Sequence, residues 1–126
     1  MKLRINGNSL RLRVSRSELT RLMQTGRIEE TIRFASENDA TLTYALEQSA
    51  DHEAMTLRWL PQEVAVLLPT EQARGWSEGD QVGLYRDCRA GDEILALLVE
   101  KDFVCLHGKD ADNEDRFPNP NQGAAC

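Results

Sequence analysis

The chain uses one pattern twice. Thr41-Leu42-Thr43-Tyr44-Ala45-Leu46-Glu47 and Ile94-Leu95-Ala96-Leu97-Leu98-Val99-Glu100 are strand-like runs that both end in Glu, and Leu3-Arg4-Ile5 aligns with Leu57-Arg58-Trp59 at nearly the same offset. An alternating apolar run follows each opening segment: Leu10, Leu12, Val14 in the first and Val64, Val66, Leu68 in the second. A short helical stretch then closes at Gly26 or Gly79. A pattern repeated at a fixed offset predicts two copies of one supersecondary unit. Two copies in one chain are expected to sit about a pseudo-twofold axis.

The period within each copy sets the elements. Lys2 to Asn6 and Ser9 to Val14 alternate apolar and polar, as a half-buried strand does. Asn6-Gly7-Asn8 between them tolerates positive φ, so the pair reads as a hairpin. Leu3, Ile5, Leu10, Leu12 and Val14 then face the core, and Arg4, Arg11 and Arg13 share the other face. Ser15 with Glu18 three residues on is a capping-box pattern, and Leu19, Leu22 and Met23 form one apolar stripe ending at Gly26. Arg27 to Ala35 reads as a strand with Ile28, Ile32 and Phe34 inward, Ser36 to Asp39 as a turn, and Ala40 to Gln48 as a further strand. After the polar link Ser49 to Glu53, Met55 to Trp59 and Glu63 to Leu68 form a second hairpin around Pro61. Thr70 is the expected cap of a helix that turns Ala73 and Trp76 inward. Gln81 to Arg86 and Glu93 to Glu100 complete the second copy, the last strand apolar on both faces and so central.

The predicted fold is therefore α+β: a β-β-α-β-β unit at 1–49, another at 54–101, and a tail at 102–126, all in one domain. Eight strands with two short helices are expected to form one curved, mostly antiparallel sheet or a half-barrel. The tail is polar and acidic from Gly108 to Asp115, then turn-rich through Phe117-Pro118-Asn119-Pro120-Asn121.

Composition narrows the function classes. With 40% hydrophobic and 29% charged residues the 126-residue chain is of ordinary globular type. Its opening residues are charged and its apolar runs are too short to span a bilayer, so a cytoplasmic protein without membrane attachment is expected. The net charge of −6 hides a polarity: residues 1–36 carry +5 and the remainder −11. Overall acidity argues against nucleic acid as a partner. The basic first third suits a local anion site, attraction between the two halves, or pairing of two chains in a homodimer.

Two candidate sites follow. The first is the arginine face of Arg4, Arg11 and Arg13, with Arg58 from the second copy. Curled inward it is an anion-binding cradle; facing outward, as the alternation of Leu, Ile and Val implies by default, it is a solvated surface. The second is Cys105-Leu106-His107 with Cys126. In a strand Cys105 and His107 point to one side, and thiolate plus imidazole suits zinc or iron, with Asp110, Asp112 or the terminal carboxylate as a fourth ligand. Cys105 as a small buried apolar residue, and thiol chemistry between Cys105 and Cys126, are the other readings. No Cys-x-x-Cys, Walker loop, Gly-x-Gly-x-x-Gly or Gly-x-Ser-x-Gly is present. The acidic turn lacks the glycine and the distal Glu of an EF-hand.

Met1-Lys2-Leu3-Arg4-Ile5 through Asn8-Ser9-Leu10-Arg11-Leu12, and Val99-Glu100-Lys101-Asp102-Phe103-Val104-Cys105-Leu106-His107 through Phe117-Pro118-Asn119-Pro120, resemble the two ends of a family of small bacterial proteins of unknown function. The resemblance covers nearly the whole chain and implies a bacterial, cytoplasmic protein. It carries no activity, cofactor or site residue onto these positions. The residues themselves favour a small binding or interaction module that meets an anionic ligand or acidic partner through its arginines. The alternative is a metal or thiol site in the tail.

Overall fold

The computed structural model describes residues 1–103 and Phe117. Its elements run β1 (Lys2–Asn6), β2 (Ser9–Val14), α1 (Arg16–Thr25), β3 (Arg27–Arg33), β4 (Thr41–Ser49), β5 (Thr56–Leu60), β6 (Glu63–Pro69), α2 (Thr70–Glu78), β7 (Gly83–Ala90) and β8 (Glu93–Lys101). They form two four-stranded sheets with strand orders β1-β2-β8-β7 and β3-β4-β6-β5. Each sheet joins a hairpin from the first half of the chain to one from the second.

This overturns the expectation of one curved sheet or half-barrel; the sheets are separate and no closed barrel forms. The cause lies in the connections. Antiparallel hairpins need only a tight turn, whereas parallel neighbours need a long crossover. Here α1 carries the chain from β2 in one sheet to β3 in the other, and α2 carries it from β6 to β7. The central strands are left to pair in parallel, β2 with β8 and β4 with β6. All the outer pairings are antiparallel.

The inner faces of the two sheets and one side of each helix share a single core. Leu12, Val14, Leu97 and Val99 enter it from one sheet, Leu46, Val66 and Leu68 from the other, Leu19 and Leu22 from α1, and Ala73 and Trp76 from α2. A fully buried leucine of this kind contributes about 2 kcal/mol through the hydrophobic effect. The Ser15 hydroxyl accepts the Glu18 N–H, the Glu18 carboxylate accepts the Ser15 N–H, and Gly26 closes α1 in the left-handed region at φ 85°. Thr70 is not the cap of α2: Pro69 holds the N-cap position and supplies no side-chain hydrogen bond. Buried Lys101 sits at the other end of that helix, where its Nζ donates to the Gly79 carbonyl at 2.9 Å. A cation there suits the negative end of the helix dipole. Burial holds its ammonium below the usual lysine value, and the Phe117 ring lies 5.4 Å from it.

Inward position does not guarantee burial. Ile5, Ile32 and Phe34 have the alternation of core residues but are exposed, as is Trp59 at 74%. They lie at the strand ends away from the helices, next to the hairpin turns, where no third layer covers the inner faces. β8 is central in its sheet, as its apolar run implied, but its outer side is only half-buried and Ile94 is exposed.

Candidate anion-binding site

The outer face of the β1-β2-β8-β7 sheet is built by strand register. Residues that pair directly across neighbouring strands form rows, and side chains in a row project to one face. One row is Lys2, Arg13, Glu100 and Gly83; the next is Arg4, Arg11, Leu98 and Tyr85; the third is Asn6, Ser9, Ala96 and Asp87. Buried Leu10, Leu12, Val14, Leu97 and Val99 alternate with these residues, which fixes the rows on the side away from the core.

Two like-charged pairs therefore stand opposite each other across β1 and β2: Lys2 with Arg13, and Arg4 with Arg11. Like charges directly opposite in an antiparallel pair repel. The first pair is compensated. Lys2 Nζ lies 3.1 Å from Asp102, and Arg13 Nε donates to Glu100 Oε1 at 2.6 Å. The second is not. Arg11 Nε reaches only 3.4 Å from the same Glu100 oxygen, and this buried nitrogen makes no hydrogen bond. Arg4 has no ion pair among the described residues. Four cations on β1 and β2 thus face Glu100 and Asp102, a surplus of positive charge centred on Arg4 and Arg11.

A groove of about 380 Å³ opens over this place, lined by Arg4, Asn6, Ser9, Leu10, Arg11, Tyr85, Ala96 and Leu98. Its polar end is β1 and β2; its apolar floor is Ala96 and Leu98; Tyr85 stands on the far side, 63% exposed. The Tyr85 hydroxyl donates to the Asp87 carboxylate, which raises the phenol above its ordinary pKa. A larger, shallower depression of about 650 Å³ lies along β5. Its cations are already engaged: Arg58 pairs with Glu47, and Arg86 Nη1 donates to the Met55 carbonyl at 2.6 Å.

Arg58 does not join Arg4, Arg11 and Arg13. It lies on the outer face of the other sheet, in the row Arg58, Ala65, Ala45 and Glu29. There Arg58 Nη1 donates to Glu47 Oε2 at 2.9 Å, Arg27 Nη1 donates to Glu47 Oε1 at 2.9 Å, and Arg27 also donates to Glu63. Arg58 first, against the cost of burial, and then Arg27 hold the Glu47 carboxyl below its usual value; the same carboxylates raise both arginines. Next to this network Ala45, Ala65 and Leu67 form a small apolar cluster of their own. That face is neutralised by its own side chains.

The proposed metal ligands Cys105, His107 and Cys126 lie outside the described residues. Among the described residues no group of three or more His, Cys, Asp or Glu side chains is placed to hold a metal. Cys88 is a buried free thiol whose Sγ donates to the Met55 carbonyl at 3.7 Å. Among the described residues no helix is long and apolar enough to cross a membrane. Sequence reasoning missed Asn6, Ser9, Leu98 and Tyr85. The signal for Tyr85 was present: it alternates with half-buried Leu84 and, three further on, buried Cys88 belongs to the opposite face.

Fold and site together define an α+β protein of two mixed four-stranded sheets, one carrying a groove with a surplus of cations. Over residues 1–121 the chain matches the family of unknown function DUF7009, and it belongs to that family. No curated protein and no solved structure matches it.

Proposed function

We propose that this protein is a binding module for a small anionic ligand, held between Arg4 and Arg11 in the groove on the β1-β2-β8-β7 sheet. One observation carries the reading: two arginines stand directly opposite each other in register, and Arg4 has no carboxylate among the described residues. Such a pair costs stability unless an anion sits between the guanidiniums. Planar guanidinium groups bind phosphate or carboxylate in a two-point fork.

We further infer that the chain is a duplicated β-β-α-β-β unit about a pseudo-twofold axis. Corresponding contacts support this. The Ala96 N–H donates to the Asn8 carbonyl and the Thr43 N–H to the Gln62 carbonyl, while Lys101 N–H donates to Val82 and Gln48 N–H to Gly26. Glu100 and Glu47 then occupy equivalent places. On the Glu47 side, Leu67 stands where the other sheet has Arg13 and Ala65 where it has Arg11. The β3-β4-β6-β5 sheet keeps its outer face neutral, and the β1-β2-β8-β7 sheet leaves cations for a ligand.

The test is a thermal-unfolding titration with inorganic phosphate at constant ionic strength. Wild type is expected to gain stability with the logarithm of phosphate concentration above Kd, about 2.7 kcal/mol at a hundred times Kd. Arg4→Ala and Arg11→Ala should lose the gain, and Arg58→Ala should keep it. Higher salt should weaken binding. A phosphate effect that ignores salt, or one that survives both substitutions, contradicts the proposal.

A further inference from the structure

The groove is not cationic throughout. Its central row runs from Arg4 and Arg11 to Leu98 and Tyr85, one residue per strand across the whole sheet. Neighbouring strands lie about 4.8 Å apart, so β2 and β7 are separated by about 10 Å. A free inorganic anion between the arginines leaves that span, with its apolar floor, empty. A ligand that fills the groove must continue past the charge onto Leu98 and end against an aromatic ring.

The ring is set up to receive such a ligand. Tyr85 is exposed, yet its hydroxyl is tied to Asp87, two residues along the same strand and face. An exposed tyrosine held at its tip offers a π face with less freedom to lose on binding. The Asn6 side chain, with no partner among the described residues, lines the same groove and can hydrogen-bond to a hydroxyl or ring edge. A cavity of about 380 Å³ falls within the range of small-molecule sites.

We propose that the ligand is an aromatic phosphate ester of the nucleoside monophosphate class, its phosphate between Arg4 and Arg11 and its ring on Leu98 and Tyr85. This rests on the anion-binding reading and specifies its ligand.

Isothermal titration of the full chain with four compounds separates the two claims. Adenosine and uridine monophosphates carry both anion and ring, ribose 5-phosphate only the anion, and adenosine only the ring. The monophosphates are expected to bind about tenfold or more tighter than ribose 5-phosphate, the factor that stacking of one base on an aromatic ring supplies. Tyr85→Ala should erase that preference without changing ribose 5-phosphate binding, and Tyr85→Phe, which keeps the ring but loses its tether to Asp87, should keep most of it. Arg4→Ala should weaken all three phosphates. Equal affinity for ribose 5-phosphate and the monophosphates overturns the aromatic assignment and leaves the anion site standing. A preference that survives Tyr85→Ala overturns it equally. Absence of binding by all three phosphates overturns both claims.

Discussion

Arg4→Glu should stabilise the fold while destroying the site. In the native chain Arg4 faces Arg11 directly across β1 and β2, and Arg4 has no counterion among the described residues. Two unit charges about 5 Å apart in water interact with about 0.8 kcal/mol, and physiological salt, with a screening length of about 8 Å, reduces this to about half. Reversing the sign removes a repulsion and adds an attraction, so the expected gain is about 1 kcal/mol, within the range of cross-strand charge pairs. For a chain of this size that is a rise of about 3–5 °C in Tm. Arg4→Gln removes only the repulsion and should give about half the gain. The assay is urea or thermal unfolding in phosphate-free buffer at low and at high salt. The gain should be largest at low salt and fade as salt rises. A destabilised Arg4→Glu protein, or a gain indifferent to salt, refutes the claim that the pair is held at an electrostatic cost.

Other substitutions test the frame that carries the site. Trp76 is fully buried and its Nε1–H donates to the Val82 carbonyl at 3.3 Å, so Trp76→Ala should cost about 3–5 kcal/mol, read as a lower urea midpoint. Ser15→Ala removes both the acceptor for the Glu18 N–H and half of a reciprocal cap; chemical denaturation should show a loss of about 1 kcal/mol, with phosphate binding unchanged. Acid should unfold the protein through its depressed carboxylates. Glu47 is held down by Arg58 and Arg27. Burial opposes the shift at Glu18, but bonds from the N-terminal ammonium and the Ser15 N–H outweigh it. Both folded values lie below the unfolded value of 4.5, so their stabilisation is present above that pH and lost as pH falls through the folded values. Glu47→Gln should therefore lower stability at neutral pH and flatten its decline as pH falls below 4.5; an unchanged acid slope would count against the Arg27–Glu47–Arg58 network.

Local patterns were legible where local physics decides them. The alternation of Ser9 to Val14 put Arg11 and Arg13 opposite Leu10, Leu12 and Val14, and the structure places them so. The Ser15–Glu18 box and the Gly26 stop needed only neighbouring residues and a left-handed backbone. What failed was non-local. Arg58 has the same sequence context as Arg4, but which sheet its hairpin joins depends on the parallel pairing of β6 with β4. Tyr85 meets the arginines only because Leu98 pairs with both Arg11 and Tyr85. Arg11 and Leu98 are far apart in the chain, and no periodicity within either strand encodes their register. Ile5, Ile32 and Phe34 show a further limit: period two assigns a face, whereas burial also requires another layer above that part of the face.

The measurement that bears most directly on the site is a two-dimensional NMR titration of the arginine Nε–Hε resonances with adenosine monophosphate. Saturable shifts of Arg4 and Arg11 with one common Kd are expected, with smaller movement at Arg13 and none at Arg27 or Arg58, whose guanidiniums are already held by Glu47. Shifts centred on Arg27 and Arg58, or no saturable shift at Arg4 and Arg11, would contradict it.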